Sequence, residues 1–235
     1  MIDMRSIDKG ESPYSKISSY QEAEPYLYKR IGRYCSFCEM PIFHVPEVEH
    51  REGKASGGAL TAWENLLYGC KYCNTRKSQK IKVGEADKWI WPDKDNTFLA
   101  FTYTDGSPSV NEAYLKAIDS RVFEKAQGLY EGVGLGHYPK DDSDKDKRWQ
   151  RRIETLGIAE DSRHAWLKMK DSEFKEDELK QIVTMATQTG FFSIWMMVFK
   201  DDSEVKCELI KAFPGTAAEC FDTNGCAKPR SGGMI

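Results

Sequence analysis

Cys35 and Cys38 are separated by two residues, and so are Cys70 and Cys73. Two CxxC pairs that converge on one ion supply four thiolates in the closed tetrahedral arrangement of structural zinc. The insert between the pairs, positions 39–69, is longer than that of a simple zinc ribbon and must hold structure of its own. The chain has seven cysteines, an odd number, which suits metal binding in a reducing compartment better than a disulfide framework. Cys207, Cys220 and Cys226 lack zinc spacing and read as ordinary thiols.

At 235 residues the chain is long enough for one large domain or two small ones. Apolar residues at 40% and charged residues at 30% place it among soluble globular proteins. The net charge of -3 does not decide the partner, because a local basic patch is enough to hold nucleic acid. The longest apolar run, 190–199, is about half the length of a membrane span and reads as a buried helix. The opening MIDMRSIDKGES has no apolar core of the secretory kind, so the expected compartment is the cytoplasm, with no membrane partner.

Residues 1–20 read as a polar arm with little structure of its own, followed over 21–33 by a short helix with Pro25 in its first turn. Residues 97–110 predict a hairpin around a DGSP turn. A helical stripe of Ala113, Leu115, Ile118, Val122 and Ala126 covers 111–131. The Gly-, Pro- and Asp-rich stretch 132–144 marks a loop or domain boundary. Beyond it the pattern is helical: a stripe of Trp149, Ile153, Leu156 and Ile158, then helices over 175–187, 191–199 and 204–213. The Gly-rich tail from Thr223 is expected to fray.

Within the insert, alternation from Ile42 to His50 is strand-like and puts Val48 and His50 on one face. A loop with Gly53, Gly57 and Gly58 follows, then WENLL, then a helix starting near Cys73 that carries Asn74, Lys77 and Ser78. The order CxxC, acid-His, Asn-Leu, CxxCN and a Lys three residues on resembles the HNH endonuclease family over about 47 residues. That resemblance implies a ββα-metal fold. It implies His50 as the base that activates water, Glu49 and Asn74 as ligands of a catalytic Mg²⁺ or Mn²⁺, and Asn65 as the residue that orients the motif loop. It places Lys77 near substrate phosphate. Many family members carry Asp where this chain has Glu49, and the extra methylene shifts the ligand geometry. The four cysteines then form a structural Zn²⁺ staple, separate from the catalytic cation.

The expected fold class is α+β and mostly helical. It comprises an arm and helix (1–33), an HNH nuclease domain with its knuckle and hairpin (34–131) and a C-terminal helical region (132–235). Lys71, Arg76, Lys77, Lys80 and Lys82 stand beside the motif without an acid among them, and Arg76, Lys77 and Lys80 are the expected contacts to the nucleic-acid backbone. Lys145, Lys147, Arg148, Arg151 and Arg152 read as a salt-bridged helix surface. His44, His137 and His164 show no partner in sequence. Residues 190–221 also resemble, more weakly, the C-terminal region of HNH proteins encoded beside an ATPase in Septu-type phage-defence systems. That implies an ABC-type ATPase partner docking on the helical region. DNA is the expected substrate; RNA such as tRNA, or a zinc-knuckle binding module that cuts nothing, are the alternatives.

Overall fold

The computed structural model describes residues 4–104, 107–141 and 143–235. It is an α+β structure, about 48% helical, with two small antiparallel sheets. A helix α1 (Glu24–Ile31) enters the knuckle with proline in its first turn. Strand β1 (Glu47–His50) pairs antiparallel with β2 (Leu66–Gly69), and α2 (Lys71–Lys77) follows directly. Only the last four residues of the expected 42–50 strand pair. Upstream, Val45 sits at φ 52°, a left-handed conformation that interrupts an extended chain. The hairpin of β3 (Phe101–Thr104) and β4 (Ser107–Val110) is present. Its central turn positions, 105 and 106, lie outside the described residues, as do positions 1–3 of the arm and 142 of the loop.

The single helix expected over 111–131 is two. α3 (Glu112–Ile118) ends at Asp119, whose carboxylate accepts a hydrogen bond from Arg121 N and starts α4 (Ser120–Val133). The break turns Ile118 out to solvent while Leu115, Val122 and Ala126 stay buried. Then come α5 (Arg148–Met169), α6 (Lys175–Thr189), α7 (Phe192–Val198) and α8 (Ser203–Ala212).

The buried face of α5 differs from the apolar stripe. Ile153 and Ile158 are exposed, and the buried residues are Arg148, Arg152, Thr155, Ala159, Ser162 and Trp166. The two arginines are therefore interior rather than surface residues, and Arg148 keeps an ion pair with Asp146. Each is inside because its guanidinium meets backbone carbonyls at the end of α4, as described below.

The apolar interior forms two clusters. One runs from Met4 to Leu135 around the knuckle; the other is built mostly from α5 to α8, joined by Tyr34, Phe98 and Tyr103. Residues 4–9 and the C-terminal tail are packed against this interior. Residues 4–9 have little secondary structure, but Ile7 N donates to Pro92 O, Ala217 N donates to Ser6 O, and Ile7 is fully buried. The tail does not fray: Asn96 N donates to Ile235 O, Met234 N donates to Asp95, and Ile235 is buried. Among the described residues, no helix is long and apolar enough to cross a membrane.

Candidate metal centre and active site

The four knuckle cysteines are all buried, and their sulfur atoms lie within 4.8 Å of one another. Cys38 Sγ and Cys70 Sγ are 3.7 Å apart. A tetrahedron with Zn–S bonds of about 2.3 Å has S···S edges of about 3.8 Å, so the residues fit a zinc ion. Backbone geometry prepares the charge. Cys70 caps α2 by accepting from Cys73 N, and Cys35 Sγ accepts from Cys70 N at 3.3 Å. Such N–H···S bonds favour thiolates over thiols.

Arg148 completes this surrounding from 75 residues downstream. It donates to Cys73 Sγ at 3.2 Å, to Val133 O at 3.0 Å and to Gly134 O at 2.8 Å, and it forks onto Asp146. A zinc with four thiolates carries two negative charges, and a buried guanidinium against it offsets one of them. Gly134 makes the contact possible by taking a left-handed φ of 59° at the end of α4. One turn on, Arg152 donates to Leu135 O at 3.0 Å.

Glu39 ties the knuckle to the C-terminal helices. It follows Cys38 at φ 62°, a conformation that glycine adopts more cheaply. Its buried carboxylate accepts from Ser193 N and Ser193 Oγ in the first turn of α7, and from Arg5 N. Burial pushes that carboxyl above its usual range against these hydrogen bonds.

Of the predicted catalytic groups, Glu49, His50 and Asn74 gather on β1 and α2, next to the cysteines, while Asn65 lies in the turn before β2. A small cleft of about 50 Å³ is lined by Glu47, Glu49, His50 and Asn74, together with Tyr20 and Lys54. Glu47 and Glu49 share one face of β1 by the two-residue strand period. Asn74 Nδ2 donates to Glu47 Oε2 at 3.1 Å. His50 Nε2 lies 3.0 Å from Leu60 O. A carbonyl only accepts, so Nε2 carries the hydrogen and a neutral ring has its lone pair on Nδ1. Burial holds His50 below its usual value, against the Leu60 carbonyl, which favours the protonated ring.

Asn65 spans the glycine loop. Its Oδ1 accepts from Glu52 N at 2.9 Å, and its Nδ2 donates to Ala59 O at 2.9 Å. The loop closes so tightly that a Cβ at Gly58 would stand 2.2 Å from Glu52 O.

One basic residue, Lys77, is placed differently from the expectation. Lys77 is wholly buried: it pairs with Glu49 at 2.7 Å and donates to His50 O at 2.5 Å. A substrate phosphate does not reach it there. The lysine faces inward because it neutralises a carboxylate that burial has stripped of water. Burial pushes the Glu49 carboxyl up to about 7, against the pull of Lys77. Arg76 pairs with Asp146, Lys80 donates to Gly132 O, and Lys71 pairs with Glu47. His137 also has a partner, Asp144 at 2.8 Å.

Sequence reading passed over Glu47, Tyr20 and Lys54. The strand period was enough to add Glu47 to Glu49. Tyr20 belongs to a separate segment, and no local signal brings it here. A larger, more apolar hollow of about 340 Å³ lies between Met40, Phe43 and α5 and holds none of these groups. Comparison with known proteins finds no matching family model, no matching curated protein and no matching solved structure.

Proposed function

We propose that this chain is a metal-dependent endonuclease of the HNH kind that hydrolyses phosphodiester bonds of nucleic acid, with DNA as the substrate. One observation carries the reading. A histidine oriented by a backbone carbonyl, two carboxylates and an asparagine amide share one cleft between strand β1 and helix α2, beside a four-cysteine cluster.

His50 is the general base. It is neutral near pH 7, and Nδ1 takes the proton of the attacking water. Asn65 and Lys77 are positioning residues, the first holding the loop that carries Leu60, the second bonding the His50 carbonyl. Glu49 and Asn74 would hold a Mg²⁺ or Mn²⁺, with Glu47 as a further oxygen donor. That cation would supply charge stabilisation at the phosphate and the leaving oxygen. The zinc has no part in the chemistry: it fixes β1, β2 and α2 relative to one another. The weaker resemblance of 190–221 adds a role as nuclease effector of a phage-defence pair. Its ABC-type ATPase partner would dock on α5, where Ile153, Ile158 and Leu167 face solvent.

The test is cleavage of duplex DNA, single-stranded DNA and total tRNA with Mg²⁺ or Mn²⁺, comparing wild type with His50→Ala. The reading expects DNA cleavage that His50→Ala abolishes while zinc content and melting temperature hold. Cleavage of tRNA alone moves the substrate to RNA. Equal cleavage by both proteins removes His50 from the mechanism.

A further inference from the structure

The cleft has carboxylates for a cation, but the basic residues expected to hold the nucleic-acid strand do not line it. Lys77 is buried on Glu49, Arg76 is paired with Asp146, and Lys80 bonds Gly132 O. Among the described residues that line the cleft, Lys54 is the one lysine or arginine. It opens the short turn Lys54–Ser56, straight after the loop segment that Asn65 holds.

Lys54 is exposed, yet its position is fixed. Its ammonium donates to Tyr20 OH at 2.9 Å and lies 4.7 Å from the centre of the Tyr20 ring. Tyr20 in turn meets His50 edge-on, with ring centres 4.9 Å apart. The tyrosine begins the turn Tyr20–Ala23, which Ser19 and Glu22 cap reciprocally. One aromatic ring thus bridges the base and a lysine 34 residues away in sequence. An ammonium has three donors, and the tyrosine hydroxyl uses one, leaving two for another acceptor. The chemistry that this presents beside His50 is a positive charge with free N–H groups, which suits a phosphate oxygen.

We infer that Lys54 is the residue that binds a backbone phosphate of the nucleic-acid strand at this cleft, with Tyr20 as its positioning residue. The inference rests on the nuclease reading, and it reassigns the phosphate contact from the helix α2 lysine to the loop. One charged contact of this kind contributes about one unit of the salt dependence of binding, whatever the base sequence.

The test separates binding from cleavage. A fluorescein-labelled DNA duplex is titrated by anisotropy over a range of salt, without divalent cation, and the same proteins are assayed for cleavage with Mn²⁺. The set is wild type, Lys54→Met, Lys54→Arg, Tyr20→Phe and His50→Ala, each checked for melting temperature and zinc content. Lys54→Met is expected to weaken binding about tenfold and to lower the salt slope by about one. Lys54→Arg restores both. Tyr20→Phe keeps the charge, so it lowers affinity and leaves the slope at the wild-type value. His50→Ala does not cut. Unchanged affinity and slope in Lys54→Met overturn the inference even when wild type cleaves. Binding that depends on Lys54 without any cleavage by wild type upholds the contact and overturns the nuclease reading. No binding by wild type overturns both.

Discussion

Lys77→Met removes one partner of a buried ion pair and keeps the length and apolar stem of the side chain. In the wild type Lys77 and Glu49 are 0% and 4% exposed at their side chains, 2.7 Å apart. Burial raises the Glu49 carboxyl from its ordinary 4.5 to about 7 even with the lysine present. At 1.36 kcal/mol per unit, ionising Glu49 in the folded protein costs about 3 kcal/mol above pH 7 and nothing below pH 4.5, where both states hold the proton. Without Lys77 the folded value rises further, so the added loss appears only where wild-type Glu49 is ionised. The expected destabilisation is about 3–5 kcal/mol near pH 9. Near pH 6, where Glu49 is protonated in both proteins, the loss falls to about 1 kcal/mol, the worth of the hydrogen bond to His50 O. Urea unfolding at the two pH values, followed by tryptophan fluorescence with zinc retained, measures this. Adding Glu49→Gln to the variant removes the pH dependence. An equal loss at both pH values, or no recovery with Glu49→Gln, refutes the account of the pair.

Arg148→Met leaves Asp146 buried and withdraws the donor from Cys73; zinc release to a chromogenic chelator is expected to show 10- to 100-fold weaker zinc binding, roughly, and an unchanged affinity would make the guanidinium irrelevant to the cluster. Two glycines in helices respond in opposite directions to alanine. At Gly157 a Cβ meets nothing within 4 Å, so Gly157→Ala raises stability by about 0.5–1 kcal/mol. At Gly132 it would stand 2.1 Å from the Trp89 ring, so Gly132→Ala lowers stability by about 1–3 kcal/mol. Thermal melting of both variants checks the pair: a rise for Gly132→Ala contradicts the close approach to Trp89, and a fall for Gly157→Ala contradicts the open space at that position.

The four-cysteine cluster was legible because its signal is local and chemical: two fixed spacings and one residue type. The helices α6 to α8 and the β3–β4 hairpin were legible for the related reason that periodicity and turn residues mark them. The buried face of α5 was not. Its apolar residues Ile153 and Ile158 point outward, while Arg148 and Arg152 point inward because their acceptors lie at 133–135 and on Cys73. A pattern search assigns arginine to the surface, and only the distant carbonyls and sulfur reverse that. Lys77 is the same case within the candidate site. Five basic residues in a row of twelve suggest an electrostatic face, yet each of Lys71, Arg76, Lys77 and Lys80 has a nearer partner in the fold. Glu47 was within reach of the strand period, whereas Tyr20 and Lys54 enter through the packing of the N-terminal turn on β1.

The proposed function needs two metal seats, the closed one of four sulfurs and a second one of oxygen donors on β1 and α2. Manganese binding followed by electron paramagnetic resonance, with zinc measured in the same samples, tests that separation most directly. Wild type should hold one zinc and bind one Mn²⁺, and Glu49→Gln should lose the Mn²⁺ while keeping the zinc. Mn²⁺ binding that survives Glu49→Gln, or zinc that leaves with it, contradicts the two-seat account.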